Sequence, residues 1–77
     1  MENKNFDEIK EQYIKEALVN AYDALKEKGY NAEGQLMDYL FTDDPSYLTS
    51  YKDARQKLVA VEREDLMIHI LKSYFEK

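Results

Sequence analysis

No cysteine occurs in the 77 residues, and there are only one histidine, one proline and two glycines. The missing thiols exclude disulfides, thiolate nucleophiles and zinc sites built on thiolates. With a single histidine, acid–base chemistry would have to rest on carboxylates, lysine or tyrosine. No apolar run approaches the length of a signal-peptide core or a membrane span, which predicts a cytoplasmic protein with no membrane insertion. From Gly29 to Tyr51 there is no lysine or arginine, and no serine or threonine precedes Thr42.

What is present is charge and periodic apolar residues. Apolar residues make up 44% and charged residues 35%. That is too apolar for general disorder. The net charge of −5 repels phosphates and anionic lipid, so nucleic acid is not an expected partner. The length predicts one domain with a thin core, and a core that thin makes self-association a reasonable expectation. Met1 to Asn5 reads as a frayed polar tail, and residues 6–77 as a single helical domain.

From Phe6 onward the apolar pattern is helical. Phe6, Ile9, Tyr13, Ile14, Ala17, Leu18, Ala21, Tyr22 and Leu25 recur at steps of three and four, which predicts a helix over about 6–28. Gly29 is the stop, because glycine takes positive φ without a Cβ penalty. Asn31 is a good N-cap for a second helix over about 31–42, with Leu36, Met37, Leu40 and Phe41 as its apolar stripe. Gly34 is costly inside that helix, and close approach of another backbone is the expected reason.

Asp43-Asp44-Pro45 ends the second helix. Asp44, preceding proline, should be extended and cap a short turn that starts at Pro45. Thr49 or Ser50 can cap the next helix, and Ser50 with Asp53 resembles a capping box. The stripe Tyr51, Ala54, Leu58, Val61 then falls out of phase with Leu66, Met67, Ile70, Leu71, Tyr74 and Phe75. Two helices, about 50–60 and 63–76, account for this, with a break near Val61 to Arg63; one long helix buried on different faces is the alternative. The expected fold is all-α: a small bundle of about four helices in two hairpin-like pairs, forming a dimer.

Chemical readings are weak by comparison. His69 with Asp65 and Glu62 spaces three possible metal ligands along one helix, but an ordinary surface with an Asp–His pair is the preferred explanation. Asp43 and Asp44 could form a carboxylate pair, yet capping accounts for at least one. No catalytic, cofactor-binding or metal-ligating residue is assigned, and no cofactor is expected. A helix-turn-helix DNA-binding protein is the main alternative. Charge opposes it, because Glu33, Asp38, Asp43 and Asp44 would face phosphates with no basic residue between Gly29 and Tyr51.

The tyrosines say more. Tyr13, Tyr22 and Tyr74 lie on apolar stripes and read as core. Tyr30, Tyr39, Tyr47 and Tyr51 cluster around the corner, where an apolar ring with a polar tip suits a protein interface. Together with Asp44 and Pro45 they are the candidate interaction residues.

The segment from Ala24 to Phe75 resembles the IreB family of small bacterial regulatory phosphoproteins. The resemblance is carried by Glu27-Lys28-Gly29-Tyr30-Asn31, by Asp44-Pro45 followed by Tyr47, by Ala54-Arg55, and by Glu62-Arg63 with Asp65. It implies a small, helical, cytosolic homodimer that regulates without being an enzyme. It further implies that a membrane Ser/Thr kinase monitoring the cell wall, and its partner phosphatase, act on the protein, in control of envelope stress and antibiotic tolerance. One feature departs from the pattern: the family's phosphorylated threonines lie in an N-terminal tail, and Met1 to Asn5 hold no hydroxyl. No phosphorylation site is therefore carried over. Thr42, Ser46, Thr49 and Ser50 remain available near the corner, and a phosphate on Ser50 is expected to sit at a helix N-terminus.

Overall fold

The computed structural model describes residues 4–76, and all regular structure among them is helical. The first helix, α1, runs Lys4–Glu27. It is already helical at Lys4 and Asn5, where a frayed tail was expected; residues 1–3 and the side chain of Phe6 lie outside the described residues. Ile14, Ala17, Ala21, Ala24 and Leu25 form its buried face. The alanines there leave room for neighbouring helices to approach closely.

Gly29 has φ +85° and closes α1 as expected. Its amide donates to the Lys26 carbonyl at 3.0 Å, and the Tyr30 amide reaches back to the Leu25 carbonyl at 2.9 Å. This is a Schellman ending, in which two carbonyls left over by the helix are satisfied by the turn. Asn31 then caps α2 (Ala32–Thr42), its side chain accepting from the Gly34 amide at 3.2 Å. That cap also explains Gly34. A Cβ there would lie 2.8 Å from Asn31 Nδ2, so the close approach is the capping side chain and not another backbone.

Asp43 ends α2 in a left-handed conformation, and its amide donates to the Tyr39 carbonyl at 2.8 Å. Asp44 is extended, and its Oδ1 accepts from the Ser46 amide at 3.0 Å to start a single 3-10 turn, Pro45–Tyr47. Leu48 follows and is buried.

The next helix begins later than the sequence suggests. Tyr51–Asp53 form another 3-10 turn, and α3 is only Ala54–Val59. The Ser50–Asp53 capping box does not form: Ser50 makes no side-chain cap bond, and Thr49 Oγ1 accepts from the Tyr51 amide at 3.1 Å instead. Lys52 and Asp53 both have positive φ. Tertiary contacts hold Lys52 there, since its ammonium pairs with Glu27 at 3.0 Å and its carbonyl accepts from Asn20 Nδ2 at 3.3 Å.

A break at Ala60 to Glu62 separates α3 from α4 (Arg63–Phe75), so the two-helix reading holds over the single long helix. The helices are not grouped as two hairpin pairs. Instead α1 is the common partner, packing against α2, α3 and α4. The core draws on all four α-helices: Ile14, Ala17, Ala21 and Ala24 from α1, Tyr39 from α2, Leu48 from the corner, Ala54 and Leu58 from α3, then Val61, and Leu66 from α4. Full burial of a leucine such as Leu58 or Leu66 contributes about 1.5–3 kcal/mol.

Candidate interaction surface

Of the six corner residues named from the sequence, Tyr39 is misplaced. It is 2% exposed and belongs to the core, and the low-dielectric surroundings push its phenol above the usual value. Tyr39 faces inward because it lies one turn from Gln35 and Leu36, which line the α1 side of α2. Tyr47 is half-buried and packs against the core, and its carbonyl accepts from Gln35 Nε2 at 2.9 Å. Tyr30, Tyr51, Asp44 and Pro45 are on the surface.

Tyr51 is anchored at the surface. Its hydroxyl donates to Glu27 Oε1 at 2.9 Å, and the ammonium groups of Lys28 and Lys52 lie 5.1 and 5.4 Å from its ring centre. Glu27 therefore receives bonds from both Lys52 and Tyr51, which hold its carboxyl below the usual value, while Glu27 raises Lys52 in return. On the neighbouring side, the Tyr22 hydroxyl donates to Glu33 Oε2 at 2.8 Å and ties α1 to α2. Asp44 is lowered by the hydrogen bonds from Ser46 that make it a cap. These carboxylates are occupied as structural acceptors.

The other tyrosine assignments shift too. Tyr13 is exposed, although its hydroxyl donates to the Lys57 carbonyl at 3.2 Å, and Tyr22 is half-buried. Tyr74 is 69% exposed and sits edge-on to Phe75, with ring centres 4.9 Å apart. Periodicity placed Tyr13 and Tyr74 on apolar faces, but both rings lie at the exposed margin of those faces and not in the core.

A larger apolar surface lies outside the six corner residues. On α2, Met37 and Phe41 lie one turn apart and both are exposed, Phe41 at 87%. On α4 only Leu66 is fully buried, while Ile70, Leu71, Tyr74 and Phe75 are exposed. The signal was available as an apolar surplus: α4 carries more large apolar residues than a single contact with α1 can bury.

His69 does not gather a metal site. Its Nδ1 lies 2.6 Å from Glu11 Oε1 on α1, while Asp65 pairs with Lys10 at 3.2 Å. The expected Asp–His pair is replaced by two links across the α1–α4 contact. Among the described residues no group of three or more His, Asp or Glu could hold a metal. The hydroxyls at the corner are partly committed: Thr42 donates to the Asp38 carbonyl at 2.7 Å and accepts from the Asp44 amide at 3.2 Å. Ser50 precedes a three-residue turn and α3 is capped at Asp53, so Ser50 is not at an α-helix N-terminus.

A small all-helical domain with its described buried polar side chains satisfied and large apolar side chains outside has the anatomy of a binding module. The chain belongs to the IreB regulatory phosphoprotein family, whose model matches residues 1–76, well beyond the stretch from Ala24 to Phe75. It is 46% identical to a UPF0297 protein of Ruminiclostridium cellulolyticum over 70 residues, covering 91% of this chain and 80% of the relative. It is also 42% identical to a UPF0297 protein of Acetivibrio thermocellus over 73 residues, covering 95% and 81%. No described helix is long and apolar enough to cross a membrane.

Proposed function

We propose that this chain is a non-enzymatic cytoplasmic regulator that works by binding proteins, as a homodimer, within a Ser/Thr kinase pathway governing envelope stress and antibiotic tolerance. Family membership supports the regulatory role. The observation that carries the binding mode is the apolar surface left open on α2 and α4, with Phe41 the most exposed of its large side chains. Leaving such side chains in water gains nothing for the monomer, whereas burying them in an interface gains about 25 cal/mol per Å2. The corner residues Tyr30, Asp44, Pro45, Tyr47 and Tyr51 provide the polar rim of a second contact, for the kinase, the phosphatase or a downstream protein.

Sedimentation velocity at high micromolar concentration tests the dimer: a species of twice the chain mass is expected, and a strict monomer rejects it. Incubation with a kinase of this class, followed by intact-mass measurement, tests phosphoregulation. Label on Ser46, Thr49 or Ser50 supports it, and an unchanged mass removes it from the proposal.

A further inference from the structure

The chain is acidic, yet one cleft at the corner has no carboxylate in its wall. Its cavity is about 180 Å3, bounded by Leu25, Gln35, Tyr47 and Leu48 at its base and by Tyr30, Ser46, Thr49, Ser50 and Arg55 around its polar side. Arg55 is the only charged group there. Its Nε donates to the Pro45 carbonyl at 3.0 Å and its Nη2 to the Leu48 carbonyl at 2.6 Å. Those two bonds hold the guanidinium plane still. A guanidinium has five N–H donors, so most of its donating capacity is left over. Among the described residues no carboxylate forms an ion pair with it, although Lys10, Lys52 and Arg63 each have one.

The remaining polar groups are donors as well. The Thr49 oxygen accepts from the Tyr51 amide, so its own proton is free to donate. The Ser46 hydroxyl is committed to the Asp44 carboxylate, but the Ser50 hydroxyl and the backbone amides of Thr49 and Ser50 have no partner among the described residues. The acceptors of the same wall are already used: Gln35 takes the Tyr47 carbonyl, and Arg55 takes those of Pro45 and Leu48. A half-buried fixed cation surrounded by hydroxyls, with its neighbouring carbonyls already satisfied, is complementary to a compact anion rich in acceptors. The cavity is below the roughly 300 Å3 of ordinary ligand pockets, which suits a single tetrahedral group and not a nucleotide.

We propose that this cleft binds a phosphoryl group, with Arg55 as its charge partner and Thr49 and Ser50 as hydroxyl donors. This goes beyond the regulatory reading and does not depend on it: the cleft binds a phosphoryl group whether or not the chain is itself phosphorylated. The group could be inorganic phosphate or the end of a phosphorylated side chain; both present the same oxygens.

The test is an amide NMR titration of the full chain with inorganic phosphate in low-chloride buffer. Saturable shifts at Ser46 to Tyr51 and at the Arg55 Nε–H are expected, with none of that pattern from equal chloride. The variant Ser50→Ala should keep its melting temperature and bind on the order of fivefold more weakly, the effect of losing about one hydrogen bond of roughly 1 kcal/mol. Arg55→Gln should abolish binding; because Arg55 also braces the turn, the serine variant decides the matter if Arg55→Gln unfolds. Shifts that do not saturate, that chloride reproduces, or that the serine variant leaves unchanged overturn the site. A parallel titration with a short phosphothreonine peptide assigns the source. Tighter binding than phosphate points to a phosphorylated protein and weaker binding to a small phosphate, and saturation by either ligand supports the cleft.

Discussion

The Arg63 guanidinium donates from Nη1 to the Leu40 carbonyl at 2.7 Å, joining the first residue of α4 to the last turn of α2, 23 residues earlier in the chain. The Leu40 carbonyl is one of those a helix leaves unsatisfied at its end, so a distant side chain completes α2. Arg63 Nε also lies 3.3 Å from Asp43 Oδ1, with the aspartate largely in solvent. Arg63→Met should cost about 1.5–3 kcal/mol, the usual range for a hydrogen bond to a charged group. Asp43→Asn should cost under about 1 kcal/mol, since exposed ion pairs contribute little. Thermal melts of both variants separate the contributions; equal losses would assign the effect to the ion pair.

Gly34 and Asn31 should behave as a coupled pair. Glycine to alanine in a helix interior normally gains about 1 kcal/mol. Here the new Cβ meets Asn31 Nδ2 at 2.8 Å, so Gly34→Ala disturbs the cap and should be neutral or destabilising. Asn31→Ala alone should cost about 1 kcal/mol by losing the cap. In the Asn31→Ala background, Gly34→Ala should regain most of its helix-propensity benefit. A double-mutant cycle by urea unfolding measures the coupling, and simple additivity would refute it.

The α4 helix hangs on one buried residue. Leu66→Ala should cost about 2–5 kcal/mol through the lost burial and the cavity left behind. Leu71→Ala, on the open face, should stay within about 0.5 kcal/mol unless dimer formation buries it. Hydrogen exchange in Leu66→Ala should rise first in α4 and last in the middle of α1. Uniform loss of protection would show that α4 does not open separately.

Acid should loosen the corner. Asp44 is held below its ordinary value by the hydrogen bonds from Ser46, and Glu27 by those from Lys52 and Tyr51. A carboxylate with a depressed folded value contributes stability above its unfolded value and loses it as pH falls through the folded one. The loss therefore belongs below about pH 4. Lys52 is raised by Glu27, so its share has the opposite sign: it is present at neutral pH and lost as pH climbs past about 10. Melting temperatures from pH 7 down to pH 2 should fall less steeply in Asp44→Ala than in the wild type. Parallel curves would mean that Asp44 has no linked proton.

Phe41→Ser tests the open surface. At 87% exposure its removal should leave the monomer fold within about 0.5 kcal/mol of the wild type. If α2 contributes to self-association, the sedimentation coefficient should shift towards the monomer at fixed concentration. An unchanged dimer would move the interface to α4.

Chain punctuation was legible because it is local. The Gly29 stop, the Asn31 cap, the Asp44–Pro45 turn and the break before Arg63 depend on the backbone preferences of one or two residues and on side chains within three positions. The corner between Thr49 and Ala54 was misread for the opposite reason. Ser50 and Asp53 have capping chemistry, but Lys52 is held at positive φ by Asn20 and Glu27 on α1, a long-range contact with no trace in the neighbouring residues.

The candidate site divides in the same way. Tyr13 and Tyr74 lie on apolar stripes and Tyr39 was read as a corner residue, and a stripe says only which residues share a face. It does not say whether another element covers that face. Tyr39 is buried in the core cluster beneath α1 and the Pro45–Tyr47 turn, whereas Tyr74, in the last turn of α4, is exposed. His69 had Asp65 one turn away, yet it meets Glu11 from another helix.

Local chain chemistry thus decided where each helix starts and stops, that the fold is helical, and that one stretch lacks basic residues. Short-range hydrogen bonds and backbone conformation suffice for that. Packing around α1 decided which tyrosine is core, which partner His69 takes, that Arg55 stands without a carboxylate, and that Phe41 and the end of α4 remain open. Those outcomes depend on which surfaces exclude water from one another, and only the assembled helices determine that.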